Sequence, residues 1–262
     1  MRIATFFQIV LLALAPVIAH AEELVTLNTH DNVTQSYLLV FNKDVSYQAV
    51  AVLFPGGAGY VGFKQVEDKI SFTSDNFLVR ARDMFVNGGV ATAIVDGPSD
   101  SSRMTDVFRM SKQHATDMAG VVADLKKRFP QAKIYLVGTS RGTVSAAYTG
   151  LALGDQVNGV ILTSSVFNAS KAGGGIAGID FSRIKAPLLF VHHREDGCNV
   201  CPYAGAQRIA DQFPLISVSG GLPPQSGPCD PLSNHGYFGK EGETVAAITN
   251  WIAGKPYEKE IK

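Results

Sequence analysis

Lys133-Ile134-Tyr135-Leu136-Val137-Gly138-Thr139-Ser140-Arg141-Gly142-Thr143-Val144-Ser145-Ala146-Ala147-Tyr148 is the stretch that decides the fold. Its first five residues are an apolar run rich in β-formers, and its last six can start a helix. Between them stands a serine with a glycine two residues to either side, Gly138 and Gly142. A strand that turns sharply into a helix forces the residue at the turn into a strained backbone conformation, and small neighbours let the turn fit. The hydroxyl of Ser140 then stands clear of both elements, as a nucleophile must.

Working outward, Val33 to Phe41, Tyr47 to Phe54, Val90 to Val95, Val157 to Thr163, Ala186 to His193 and Leu215 to Val218 read as further strands. Helical spacing marks Asn76 to Val86, with Phe77, Leu78, Ala81, Met84 and Phe85 on one face. It also marks Ser111 to Phe129, a helix after Ser140 to about Leu153, Tyr203 to Gln212, and Glu241 to Ile252. Strands alternate with helices and several strands are apolar throughout. That pattern predicts an α/β fold with a mostly parallel central sheet flanked by helices. No repeat or linker divides the chain, so residues 22–262 are expected to form a single domain.

The chain has 262 residues, 46% of them apolar, and a formal net charge of zero. Such a balance gives no basic footprint for nucleic acid and none for an anionic membrane surface. The N-terminus reads as an export signal: Arg2 as a minimal basic region, an apolar run from Ile9 to Ile18, and the A-x-A site Ala19-His20-Ala21. The run is short for a bilayer. Residues 1–21 are therefore expected to be a cleaved signal peptide, the mature chain beginning at Glu22 without stable membrane insertion, in the periplasm or outside the cell.

A serine is a weak nucleophile until an adjacent base, itself held by a third group, activates it. In open α/β sheets reactive groups collect at the carboxyl ends of the parallel strands. Asp196, in Arg194-Glu195-Asp196-Gly197 just after the strand ending at His193, is the candidate acid, ahead of Glu195 and Asp180. His235, in Ser233-Asn234-His235-Gly236-Tyr237-Phe238 between the last strand and the last helix, is the candidate base. His114 reads as a capping or surface histidine, and His192 and His193 must face opposite sides of their strand, so that one can pack beneath the acid. Phe54-Pro55-Gly56-Gly57-Ala58-Gly59-Tyr60 leaves a strand as a glycine-rich loop able to aim N–H groups at developing negative charge. Among Gly57, Ala58 and Gly59, which the sequence leaves open as donors, Gly57 is favoured, paired with the N–H of Arg141.

These segments carry a resemblance. His192-His193-Arg194-Glu195-Asp196 resembles the strand and H-G-x-x-D segment that carries the acid in many α/β-hydrolases, with His193 in place of glycine. His-Gly-aromatic at residues 235–237 resembles the histidine loop of dienelactone-hydrolase-like esterases. The loop at 55–59 is similar to the H-G-G-G loop of lipases and esterases, with proline first. With Ser140 in a G-x-S-x-G turn, the order Ser140, Asp196, His235 is that of the α/β-hydrolase superfamily. The resemblance spans nearly all of residues 22–262 and implies an eight-stranded sheet and a serine hydrolase. Carboxylic esters are the leading substrate class, and peptides or thioesters are open to the same triad. A non-catalytic binding protein on the hydrolase fold is the rival reading. The substrate is a small ester or other acyl compound, and the chemistry calls for no cofactor.

Three cysteines remain, Cys198, Cys201 and Cys229. A Cys198–Cys229 disulfide would tie the acid loop to the base loop, with Cys201–Cys229 as the rival pairing. Cys198-Asn199-Val200-Cys201 also has C-x-x-C spacing. No thioredoxin-like unit surrounds it, and as a metal site it finds no second pair of ligands nearby apart from Cys229 and His235. Only some twenty residues separate Thr163 from Ala186, where relatives insert a helical cap, so no large cap domain is expected. Asp96-Gly97-Pro98-Ser99-Asp100 follows a strand and should edge the cleft.

Overall fold

The computed structural model describes residues 20–30, 32–101 and 103–262. The apolar run Ile9–Ile18 of the expected signal lies outside them. In chain order the main-sheet strands and the helices are β1 (Ala21–His30), β2 (Val33–Phe41), β3 (Ala49–Phe54), α1 (Phe77–Arg80), α2 (Arg82–Asn87), β4 (Ala91–Val95), α3 (Asp106–Arg109), α4 (Lys112–Arg128), β5 (Lys133–Thr139), α5 (Gly142–Leu153), β6 (Gly159–Thr163), β7 (Leu188–His193), α6 (Tyr203–Gln207), β8 (Leu215–Val218), α7 (Glu241–Ile252) and β9 (Glu260–Ile261). The sheet runs β1-β2-β4-β3-β5-β6-β7-β8-β9. From β4 through β9 every neighbouring pair is parallel, and β1 and β2 close one edge antiparallel.

Burial explains the parallel core. Every residue of β3, β4, β6 and β7 is buried, and only Lys133 of β5 reaches solvent. Such strands must be covered on both faces. A Cβ on Gly150 of α5 would lie 2.8 Å from Val160, whereas one on Gly159 would lie 3.1 Å from Trp251 of α7. Gly159 and Val160 are consecutive in β6 and so face opposite ways. Helix α5 therefore covers one face, with α4 beside it, and α7 covers the other, with α2. The glycines at these contacts let helix and sheet approach closely.

Among the described residues the sheet has nine strands rather than the eight implied by the resemblance. Two strands beyond those read from the sequence lie at its edges: the two-residue β9 along β8, and β1 along β2 from Ala21↔Phe41 to His30↔Val33. In β1, Val25 and Leu27 pack on the core, and His30 bonds the buried Asp117 of α4 at 2.6 Å. His20, just ahead of it, lies 3.0 Å from Asp83. The expected helix over Asn76 to Val86 is broken at Ala81 into α1 and α2, and α6 ends at Gln207 rather than Gln212. Between β6 and β7 the chain carries only a short 3-10 turn, Phe181–Arg183, and the isolated bridge Ser170↔Gly173, so no helical cap stands there.

His114, expected at the surface, is buried in α4 between Phe54 and Phe108, with neither ring nitrogen bonded. Burial, aided by the charge of Arg109, pulls its pKa from 6.5 down to about 3. The unfolded chain therefore binds a proton that the folded chain refuses between those values, so stability falls as pH drops below 6.5. Urea unfolding at pH 7.5 and pH 5 should show the protein losing about 2 kcal/mol more than a His114→Leu variant across that interval. An equal loss in both proteins would contradict this assignment.

Candidate active site

Consecutive connections leave β3 and β5 in opposite directions, β3 toward β4 and β5 toward β6. A crevice opens at the carboxyl ends of such a pair. The glycine loop after β3 and the turn after β5 border it, forming a cleft of about 220 Å³ also lined by Tyr60, Cys229 and His235.

Ser140 sits in this turn at φ 52°, the left-handed region that a side chain enters only under constraint. The constraint comes from its neighbours. A Cβ on Gly138 would fall 2.4 Å from the carbonyl oxygen of Gly142, and one on Gly142 only 1.9 Å from the carbonyl oxygen of Phe54. The Ser140 N–H donates to the Thr163 carbonyl at 3.0 Å, and its own carbonyl accepts from Thr143 N–H at 3.0 Å, which starts α5. Gly142→Ala must push β3 away from the turn. It should lower stability by about 3 kcal/mol or more, read as a fall in the urea midpoint; an unchanged midpoint would refute the packing argument.

The glycine loop is braced from below. The Asp96 carboxylate accepts the N–H groups of Val61, Gly62, Phe63 and Gly97, at 2.8 to 3.3 Å. Tyr60 donates its hydroxyl to the Pro98 carbonyl at 2.7 Å, over Gly97, where a Cβ would strike its ring. The segment after β4, expected to edge the cleft, thus supports the loop instead and is not among the residues that line the cleft. Within the loop, Gly57 has φ 59° and open space where a Cβ would point, and its carbonyl accepts from the buried Arg109 at 3.4 Å. Arg109 also bonds Ser145 of α5 at 2.9 Å, coupling the loop to the helix behind the serine. Arg141 caps α5, where the first N–H groups have no partner within the helix. Its guanidinium is tied down by the buried Asp106 and by the Ala172 carbonyl.

Asp196 and His235 are brought together. His235 donates from Nδ1 to Asp196 Oδ2 at 2.9 Å, while its Nε2 is buried without a partner. Asp196 Oδ1 accepts the Cys198 N–H at 2.9 Å, and His192 Nε2 lies 3.5 Å from Oδ2 while donating to the Cys201 carbonyl at 2.8 Å. Burial pushes the Asp196 carboxyl upward, but hydrogen bonds from His192 and His235 and their charge outweigh it, and the pKa is lowered. His192 is thus the one of the two strand histidines that meets Asp196. His193 faces away, toward the Gly220 carbonyl at 3.0 Å.

The histidine loop is anchored by the residues beside His235. A Cβ on Gly236 would lie 1.9 Å from the Pro231 carbonyl oxygen. Tyr237, fully buried against Phe77, donates its hydroxyl to the Val191 carbonyl at 2.8 Å and accepts the Ser164 N–H at 3.0 Å. Arg80 holds the carbonyls of Pro231 and Gly236 at 3.2 Å each. A disulfide joins Cys198 to Cys229, so the Asp196 loop is linked covalently to the His235 loop. Cys201 remains a free, buried thiol. Burial and the charge of Asp196 push its pKa up, with the neighbouring Ser140 side chain opposing.

No protein-family model matches the sequence, and no curated protein does. Solved structures do. Est1E from Butyrivibrio proteoclasticus is similar with a TM-score of 0.59 at 16% identity, over 88% of this chain and 99% of that one. A dienelactone hydrolase from Anabaena variabilis gives 0.58 at 13% identity, over 90% and 96%. A member of the a/b serine hydrolases without lid, from Xanthomonas campestris, gives 0.59 at 13% identity, over 92% and 97%. Sheet order, helical layers and the lack of a cap between β6 and β7 agree with these likenesses: the chain has the α/β-hydrolase fold.

Proposed function

We propose that the protein is a serine hydrolase that cleaves carboxylic esters through Ser140, His235 and Asp196. One observation carries the reading: a histidine whose Nδ1 is held by a buried carboxylate presents an unpartnered Nε2 in the same cleft as a serine on a strained turn. His235 takes the proton of Ser140 as its oxygen attacks the substrate carbonyl. Asp196 fixes the imidazole tautomer and stabilises its charged form. N–H groups of Gly57 and Arg141 receive the oxyanion, and water releases the acyl group.

The cleft is open, and the charged side chains lining it, apart from the histidine, are Asp75 and Asp230. Small neutral esters therefore suit it better than esters bearing a carboxylate. A dienelactone is a cyclic ester, and the name of one similar protein states that it hydrolyses one. Export remains part of the proposal: the leader-like residues 1–21 and the Cys198–Cys229 disulfide both suit an oxidising compartment. No helix among the described residues is long and apolar enough to cross a membrane.

Fluorophosphonate labelling with peptide mapping tests the reading. Label on Ser140 that is lost in Ser140→Ala and His235→Ala supports it, and a panel of neutral esters, thioesters and amides then ranks the acyl classes. Folded protein that takes no label would point instead to a binding protein on this fold.

A further inference from the structure

The second pair of ligands that the sequence offers the C-x-x-C pair, Cys229 and His235, is brought to it by the fold. Sulfur atoms of Cys198 and Cys201 and a ring nitrogen of His235 all lie within 4.8 Å of one another, and all three residues are buried. Cys229 Sγ is bonded to Cys198 Sγ and so lies next to this cluster without being part of it. His235 Nδ1 is engaged by Asp196, which leaves Nε2, buried and unpartnered, as the free donor. With the disulfide intact, Cys198 and Cys229 are poor ligands and only Cys201 and His235 could hold a cation. With it open, the Cys198 and Cys201 thiols stand with the His235 imidazole and the Cys229 thiol lies next to them, able to complete the Cys₃His donor set that suits tetrahedral zinc. Asp196 would orient the ligating histidine from behind, as second-shell carboxylates do. Cys229 and His235 both line the cleft, which gives the ion a route in.

We propose that reduction of the Cys198–Cys229 disulfide creates a binding site for a thiophilic divalent cation of the zinc class, formed by Cys198, Cys201, Cys229 and His235. A trialkylphosphine supplies the two electrons, and one water molecule supplies the oxygen that makes it the phosphine oxide and the two protons that turn the disulfide into two thiols. Binding then displaces one proton from each of the three thiols and occupies the lone pair of His235 Nε2. That lone pair is the one that activates Ser140 in the proposed mechanism. The consequence for hydrolysis rests on that reading; the site itself does not.

The test is a Zn²⁺ titration against a chromophoric chelator, run on oxidised and phosphine-reduced protein, with Co²⁺ absorption as a second readout. Reduced protein should bind one Zn²⁺ per chain ~100-fold or more tighter than oxidised protein. Its Co²⁺ form should show thiolate charge-transfer bands and the intense d–d bands of a tetrahedral ion. Cys201→Ser and His235→Ala should each weaken zinc by ~100-fold or more, beyond the cost of losing an outer-shell partner. Ser140→Ala, inactive in the proposed mechanism, should bind zinc as the unsubstituted protein does, which separates failure of the site from failure of the hydrolase reading. Equal affinity before and after reduction, or undiminished binding by Cys201→Ser, would overturn the proposal. So would loss of the near-UV circular dichroism on reduction before zinc is added, because the cation would then be bound by an unfolded chain.

Discussion

Ser140→Ala should lower kcat for an activated ester by roughly 10⁶-fold, the scale on which a nucleophile supports a triad. KM should change little, because the hydroxyl of Ser140 contributes little to ground-state binding. Stability separates this loss from misfolding. Ser140 holds φ at 52°, and a side chain in that region costs about 1–2 kcal/mol that glycine does not incur. Glycine gives back part of this through the greater freedom of its unfolded chain. Ser140→Gly should therefore be as inactive as Ser140→Ala yet more stable than it by about 1 kcal/mol, measured by urea unfolding. A Ser140→Ala protein that keeps more than about 1% of the activity would remove Ser140 from the mechanism, since that loss is far below the scale expected for a nucleophile.

The strained turn is legible in the sequence because its causes are local. Gly138 and Gly142 are required by contacts within a few residues or with the adjacent strand end, and β5 is a continuous apolar run. Strands β3, β4, β6 and β7 were legible for the same reason, since burial on both faces leaves no alternation to misread. Asp196 and His235 could be picked out because each follows a strand. β1 escaped because Ala21–His30 is a half-exposed edge strand whose Glu22, Glu23, Thr26 and Asn28 dilute the apolar signal. β9 escaped because two residues carry no periodicity. The break at Ala81 is invisible in a window whose apolar face is unbroken.

The remainder of the site depends on tertiary proximity. Arg109 reaches Gly57 across 52 residues of chain, and Asp106 reaches Arg141 across 35. No spacing rule links such residues. The same holds for His114, whose neighbours come from the end of β3 and from α3, and for Cys201, whose place beside Ser140 and His235 follows only once the Asp196 and His235 loops are folded together.

Asp196→Asn should reduce kcat by about 10⁴-fold near neutral pH while leaving the cleft formed. The amide has nearly the shape of the carboxylate, so the loss would report charge and tautomer rather than packing. Asp196 Oδ2 can only accept, which requires the proton of His235 to reside on Nδ1 and leaves Nε2 free to take the proton of Ser140. An asparagine that presents its NH₂ instead would bind the other tautomer and place the proton on Nε2, facing the serine. His192 offers the internal comparison. Its Nε2 is 3.5 Å from the same oxygen but 2.8 Å from the Cys201 carbonyl, so its first partner is the backbone. His192→Gln should therefore cost activity far less than Asp196→Asn. A stability readout accompanies the kinetic one. The folded-state pKa of Asp196 is lowered from 3.8, so its charged form stabilises the fold above that pH, and this contribution is lost as pH falls through the lower, folded value. Asp196→Asn has no such group, and its stability should fall less steeply than that of the unsubstituted protein below pH about 3.8. Equal kinetic losses in Asp196→Asn and His192→Gln would show that Asp196 acts through the packing of this cluster and not through its charge on His235.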